Sequence, residues 1–428
     1  MKPILQLALD FVDLSRAVKV AEEAVGVGVD WIEIGTPLIK SEGLNAVRKM
    51  RELFPKHKII ADMKIMDTGR AEVEIAAKAG ANIIDVLGAA SDSTIAECVE
   101  ACKNYGAEVI VDMIDVADPV KRAKQVEALG VHYISVHTSI DQQMKGKVPF
   151  DILKQVCRQV KIPVAVAGGI NSENVVDAIS CGASIIIVGG AISKAENVQK
   201  ATLNIKKAMS SGKKVKTDLY KRVTDKDVKD IFLKVSSSNI SDAMHRKGEL
   251  KEIFPICYGV KMIGPAVTVR TYPGDWAKPV EAIDIAQKGD VIVIDAGGVS
   301  PAIWGELATH SSIVKKISGV VINGAIRDTK EIRDLKFPAF AKLVTPTAGE
   351  PRGFGEINIP ITISGVQINP GDWIIGDDDG VVVVPKSKLA EIANRSMDVL
   401  ERENRIRAEI KQGGTLASVT QLLRWEKH

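Results

Sequence analysis

The first 209 residues alternate between two textures, and that alternation constrains the fold more than anything else in the chain. Short apolar runs recur at Ile4 to Leu9, Trp31 to Gly35, Lys58 to Asp62, Ile83 to Leu87, Glu108 to Asp112, Tyr133 to His137, Val164 to Ala167 and Ser184 to Val188. Stretches of helical period lie between them, among them Leu14 to Val27, Ala71 to Ala79, Thr94 to Tyr105, Val120 to Leu129 and Ser172 to Ser180. Strict alternation of this kind demands parallel strands, because each helix carries the chain back along the sheet. Eight such units fit a closed (β/α)8 TIM barrel better than an open doubly wound sheet. Functional side chains of that fold gather at the carboxyl ends of the strands.

Those ends hold Asp10, Glu33, Asp62 with Lys64, Asp85, Asp112, His137, Gly168-Gly169 and Gly189-Gly190. Asp85 lies within its strand and is assigned to a strand-end hydrogen-bond network rather than to the site. Within Ile59 to Gly69 the apolar run gives way to Asp62, Lys64 and Asp67. Residues two apart on a strand share a face, so Asp62 and Lys64 project together. Read alone, D-x-K-x-x-D is equally well a solvated strand end with local ion pairs. Its place on the third strand favours chemistry. Glu33 and Asp62 offer hard oxygens from adjacent strands, which suits Mg²⁺, or Mn²⁺ in its place, completed by substrate oxygens and water. His137 is the candidate proton shuttle, with an ordinary pKa near 6.5. The two Gly-Gly loops follow strands seven and eight, where barrels seat phosphate on backbone N–H groups.

These residues carry a resemblance. Leu5-Gln-Leu-Ala-Leu-Asp10, Glu33-Ile-Gly-Thr-Pro-Leu-Ile39, Ala61-Asp-Met-Lys-Ile-Met-Asp-Thr-Gly69, His137-Thr-Ser-Ile-Asp141 and the glycine loops resemble the 3-hexulose-6-phosphate synthases, in the orotidine 5′-monophosphate decarboxylase suprafamily, from residue 1 to about 208. The resemblance implies a Mg²⁺-dependent aldol reaction joining formaldehyde to D-ribulose 5-phosphate, or its reverse, through an enediolate. It implies Glu33 and Asp62 as metal ligands, Lys64 stabilising the enediolate, and His137 moving the proton. Asp10, Asp112, Asp141, Gly168, Gly169, Gly189 and Gly190 are placed with the substrate-binding groups. It also implies a dimer in which the catalytic Asp67 reaches the neighbouring subunit's site. The sister 3-keto-L-gulonate 6-phosphate decarboxylases are the alternative. Their pattern favours arginines after the strand-six histidine and in the last phosphate loop, where this chain has Asp141 and Gly189-Gly-Ala-Ile192.

At 428 residues the chain is long enough for two domains. Lys plus Arg number 57 against 54 Asp plus Glu, and a net charge of +3 argues against an extended nucleic-acid or acidic-membrane surface. Five scattered cysteines without C-x-x-C spacing read as reduced thiols in a cytoplasm, and no signal peptide or membrane span is visible. Residues 210–220, with Ser210-Ser-Gly and a basic run, read as a linker between a barrel over 1–209 and a second domain over 221–428. That domain begins with a helical stretch near Thr224 to Val235. Six β-rich pieces follow, at Ala266 to Thr271, Val291 to Asp295, Val320 to Ile322, Ile359 to Val366, Trp373 to Ile375 and Val381 to Val384, and one long charged helix closes it, Lys386 to Gln412.

Its dense stretch is Trp304-Gly-Glu-Leu307 followed by Val320 to Glu331, an apolar strand ending in Arg327-Asp328. A carboxylate beside a guanidinium can hold a metal and grip a carboxylate or enolate oxygen, although the dipeptide alone is usually structural. With Gly264 to Arg270, Asp290 to Gly298 and Asp377 to Pro385, this pattern resembles the RraA-like family over about 221–390. That family includes class II 4-hydroxy-4-methyl-2-oxoglutarate aldolases and also regulators of ribonuclease E. The resemblance implies an α/β swivelling domain, Glu306 and Asp328 as metal ligands, Gly305, Leu307 and Arg327 as substrate-binding groups, and trimeric rings. No Gly-rich loop supports a methyltransferase. Regulators typically lose the acid that is here Asp328, which favours an oxo-acid aldolase or decarboxylase over a non-catalytic regulatory or oligomerisation module. A dimerising barrel fused to a trimerising domain predicts a homo-oligomer.

Overall fold

The computed structural model describes residues 2–146, 148–217, 222–223, 227–411 and 413–420. Residues 218–220 of the expected linker, the start of the helix expected from Thr224, and Gln412 lie outside the described residues. The chain divides into two compact units, one of Met1–Gln143, Lys147–Lys221 and Arg405–His428, the other of Met144–Gly146 and Arg222–Asn404. The stretch from Arg405 thus groups with the first unit, although the sequence reading assigned it to the second half.

The first unit is a closed eight-stranded barrel. Its strands are β1 (Ile4–Leu9), β2 (Trp31–Ile34), β3 (Lys58–Ile65), β4 (Ile83–Leu87), β5 (Glu108–Asp112), β6 (Tyr133–His137), β7 (Val164–Ala167) and β8 (Ile185–Val188). All pairings are parallel, and β8 returns to β1 to close the ring. Local chemistry sets the helix ends. Asp13 and Ser91 cap helices Leu14–Val25 and Asp92–Tyr105 by accepting backbone N–H bonds, and Gly106 ends the latter in the left-handed region. Helix Val198–Ser211 runs into the segment read as linker. The helix stops only at Gly212, at φ 64°, so the linker begins two residues later than its small residues suggested.

Inside the ring, Ile60, Ile83, Ile110, Ala165, Ile185 and Ile187 form an apolar plug. Below it, at the amino ends, Trp31 and Tyr133 meet edge to face at 5.6 Å, and Lys58 lies 5.1 Å over the Trp31 ring while pairing with Glu108 at 2.5 Å. Such closure belongs to stability, whereas the carboxyl ends remain open for chemistry.

The second unit is built on a mixed sheet in the order Gly380–Val384, Trp373–Asp377, Met262–Arg270, Val291–Asp295, Gly319–Ile326, Ala339–Val344 and Phe254–Pro255. The inner four strands are parallel, and the flanking ones antiparallel. Alternate residues of the central strands serve opposite faces: Ile292, Ile294, Val320 and Ile322 pack on one, Val291, Val293, Val321 and Phe340 on the other. The strand expected over Ile359 to Val366 is instead a hairpin of Ile361–Ile363 with Val366–Ile368, because Ser364 and Gly365 turn the chain with φ of 52° and 78°. The closing helix spans Leu389–Lys411 after a short 3₁₀ turn. Among the described residues no helix is long and apolar enough to cross a membrane.

Candidate active site

The barrel site is organised by Lys64. Strand β3 runs past Asp62 to Ile65, three residues beyond its expected end, and its pairing with β4 shifts between Ala61 and Ile65. Lys64 sits in that irregularity at φ 48°, a conformation that costs a non-glycine residue free energy and is held only by its surroundings. The surroundings are carboxylates. Lys64 Nζ donates to Asp62 Oδ1 at 3.0 Å and to Asp112 Oδ2 at 3.1 Å, so the ammonium spans from β3 to β5. Asp112 Oδ2 also meets His137 Nδ1 at 2.8 Å, while its Oδ1 accepts the Ile114 N–H at 2.9 Å.

The electrostatics follow from this geometry. Burial opposes the charge on Lys64, but Asp85, Asp62 and Asp112 outweigh it and raise its pKa. His137 likewise loses hydration yet is raised above its usual value by Asp112. Asp112, though buried, is lowered by His137 and then Lys64. Glu33 is pushed well above the usual carboxylate range by desolvation and by Asp62 and Asp10. Asp10 is exposed towards the mouth, yet the protein mass around its carboxylate withholds water and, with Asp62, raises it.

Close backbone approach builds the rim. A Cβ on Gly35 would stand 2.2 Å from Asp10 Oδ1 and one on Gly189 3.3 Å from its Oδ2, so both positions leave room for that carboxylate. Gly168 and Gly169 take φ of 97° and 72°, and a Cβ on Gly168 would meet the Thr138 carbonyl at 2.4 Å. Buried Gln143 braces this loop, donating to Thr138 O at 2.8 Å. Next to Gly190 lies the Lys194 side chain, a cation at the loop that the sequence reading treated as uncharged.

In the second unit, Gly305-Glu306-Leu307 follows strand Ala302–Trp304 and Arg327-Asp328 follows its parallel neighbour Gly319–Ile326, which brings the two motifs together. Asp328, at φ 55°, accepts the Glu306 N–H at 3.1 Å through Oδ2, the same oxygen that lies 3.4 Å from Arg327 Nε. A Cβ on Gly305 would stand 2.5 Å from that oxygen. Glu306 faces His310 at 3.4 Å, and Leu307 is exposed.

Comparison with known proteins agrees with both halves. A model described as orotidine 5′-phosphate decarboxylase / HUMPS family matches residues 3–205. The barrel is 43% identical over 209 residues to a 3-hexulose-6-phosphate synthase of Bacillus subtilis, covering 49% of this chain and 99% of that protein. The chain belongs to the orotidine 5′-phosphate decarboxylase / HUMPS family. Within the family it is also 41% identical to a 3-hexulose-6-phosphate synthase of Methylomonas aminofaciens, over 47% of this chain and 96% of the relative. A solved 3-hexulose-6-phosphate synthase from Salmonella typhimurium is 38% identical over 50% of this chain and all of its own, with a TM-score of 0.48. Beyond the family barrel, a model described as RraA-like, Aldolase/RraA, matches residues 237–383.

Set in the family barrel, the expected site residues separate into three groups. Asp62, Lys64, Asp112 and His137 form one hydrogen-bonded chain, and Asp10 and Glu33 are coupled to it by charge. Asp112, read as substrate-binding, already accepts from Lys64 and the Ile114 N–H and meets His137. Asp67 and Asp141 are both exposed. Asp67 accepts the Thr68 N–H at 2.7 Å, while Asp141 lies on the short helix Ile140–Met144. Asp85, excluded by the sequence reading, is buried with Oδ1 unpartnered. No spacing rule marks it, because an inward polar residue inside a strand looks like any other.

Among the described residues, five carboxyl groups, Asp10, Glu33, Asp62, Asp85 and Asp112, gather around Lys64 and His137, with Lys194 adding a third cation near Asp10. Asp10, Glu33 and Asp85 are held above their usual values by burial and by one another, and such a surplus of hard oxygen donors is the chemistry that a divalent cation relieves. Among the described residues no three acid, histidine or cysteine side chains are arranged as a closed cage. The donor set therefore fits an ion held by Glu33 and Asp62 that takes its other ligands from substrate and water, as Mg²⁺ commonly does.

Proposed function

We propose that the barrel catalyses the aldol condensation of formaldehyde with D-ribulose 5-phosphate to D-arabino-3-hexulose 6-phosphate, or its reversal. The observation that carries this reading is the Lys64 ammonium bridging Asp62 and Asp112 beside His137, in a barrel 43% identical over its whole length to a 3-hexulose-6-phosphate synthase. A divalent cation held by Glu33 and Asp62 would supply Lewis-acid polarisation of the sugar's carbonyl and neighbouring hydroxyl. His137 removes the C1 proton, made more basic by its bond to Asp112. Lys64 donates to the enediolate oxygen as charge develops, an interaction stronger in the transition state than before it. Asp10 holds the sugar hydroxyls. The backbone of Gly168-Gly169 and Gly189-Gly190 receives the phosphate, with Lys194 adding charge nearby. C1 then attacks formaldehyde, and the proton taken by His137 is returned to the aldehyde oxygen. Asp67 is assigned to the partner's site in a dimer.

For the second unit we propose a metal-dependent aldolase or decarboxylase of an oxo acid, with Glu306 and Asp328 as ligands, Arg327 on the substrate carboxylate and the Gly305–Leu307 backbone beside it. The pairing of Asp328 with both Arg327 and the Glu306 N–H supports this. Five free cysteines suit a reducing cytoplasm, and trimeric rings joined through barrel dimers suit the fusion.

The full chain incubated with ribulose 5-phosphate, formaldehyde and Mg²⁺ should form hexulose phosphate. Release of CO₂ from 3-keto-L-gulonate 6-phosphate without condensation would replace the synthase by the decarboxylase. Asp328→Ala should abolish oxo-acid turnover while leaving condensation intact. Unaltered metal affinity and unaltered turnover in that variant would make the second unit a scaffold. Light scattering that finds a monomer removes the assembly.

A further inference from the structure

Lys64 reaches from Asp62 on β3 to Asp112 on β5, and the strand it crosses is β4. One acid of β4 points into the barrel there. Ala61 pairs with Ile84, which sets Asp85 level with Asp62, and Asp85 pairs with Ile110, which sets it one inward step below Asp112. Asp85 is only 7% exposed, and its Oδ1 has no hydrogen-bond partner. A buried carboxyl oxygen without a partner costs stability, and a sequence selected for stability alone has no use for it. Such local defects persist where function over-determines them.

We propose that Asp85 is a positioning residue for Lys64: lying beneath the ammonium on the intervening strand, it centres Nζ between Asp62, on the metal side, and Asp112, on the proton-transfer side. Without it, Nζ settles on one of the two and no longer serves both ends of the enediolate. The proposal rests on the enediolate chemistry of the preceding section, though not on the identity of the electrophile.

The test separates the two. In D2O with ribulose 5-phosphate and Mg²⁺ but no formaldehyde, exchange of the C1 proton reports enediolate formation alone, and condensation is measured in parallel. Wild type should exchange, and Lys64→Met should not. Asp85→Asn and Asp85→Leu should slow exchange about tenfold or more, the usual loss for a supporting residue, with KM within about threefold and Tm unchanged or raised. Exchange at the wild-type rate in both variants overturns the proposal. So does a fall in Tm with KM and rate declining together, which is the signature of a structural residue. Exchange without condensation in wild type would remove the synthase reading and leave Asp85 to be judged on its variants; absence of exchange in wild type would remove both.

Discussion

Asp112 is the residue on which the barrel site turns, since a single oxygen serves both the ammonium and the imidazole. Its negative charge stabilises imidazolium, so the His137 limb of the kcat/KM profile should lie above the ordinary value near 6.5. Asp112→Asn removes that charge, and the limb should move to lower pH together with a loss of rate. A limb that stays in place or rises would show that His137 is not the titrating base. The sequence made most of this arrangement legible because Asp112 and His137 fall at strand ends and Asp62 three residues short of one, where fold logic says to look. It concealed Lys64's geometry. Period-two alternation puts Asp62 and Lys64 on one face, but the contact depends on a pairing shift and a left-handed residue that no pattern of residue types announces. Asp85 escaped for the converse reason, since its importance comes from what it lacks.

Between elements, helix Gly69–Lys78 meets helix Asp92–Tyr105 in a close joint. A Cβ on Gly69 would stand 2.5 Å from Cys98 Sγ and 2.7 Å from the Thr94 carbonyl. Gly69→Ala should therefore destabilise the barrel by about 1–3 kcal/mol through overpacking, read as a fall in its denaturation midpoint. An unchanged midpoint would mean that the two helices separate freely. Because Gly69 directly follows the loop bearing Asp67, that variant should also disturb the loop. The sequence located these helices to within two residues because their apolar periods are regular and Ser91 and Gly106 are readable caps. It read through the Ser364-Gly365 turn, as a single apolar stretch over Ile359 to Val366 hides a reversal carried by two backbone angles.

At the scale of the whole molecule, two units with separate cores carry separate candidate sites. A ligand stabilises only the unit that binds it, by about 2.7 kcal/mol at a hundred times its Kd. Calorimetry of the full chain should show ribulose 5-phosphate raising one transition and leaving the other unmoved. Both transitions shifting together would mean that the halves unfold as one cooperative body. Fold class was legible in the first half from β–α alternation, whereas in the second the pattern showed only β-rich pieces and the α/β fold came from the RraA-like resemblance. The grouping of residues after Arg405 was not, since a charged helix carries no mark of which core it serves.

The plug of Ile60, Ile83 and Ile110 above the Trp31, Lys58 and Tyr133 closure has a kinetic consequence. A tube sealed at one end is a blind well: pentose phosphate, aldehyde and hexulose phosphate must all cross the same rim. Each turnover then waits for the previous product to vacate that rim, and hexulose phosphate should inhibit competitively against ribulose 5-phosphate. Purely noncompetitive inhibition would mean that the two sugar phosphates do not contend for the same form of the enzyme, and that the shared rim does not set the order of exchange.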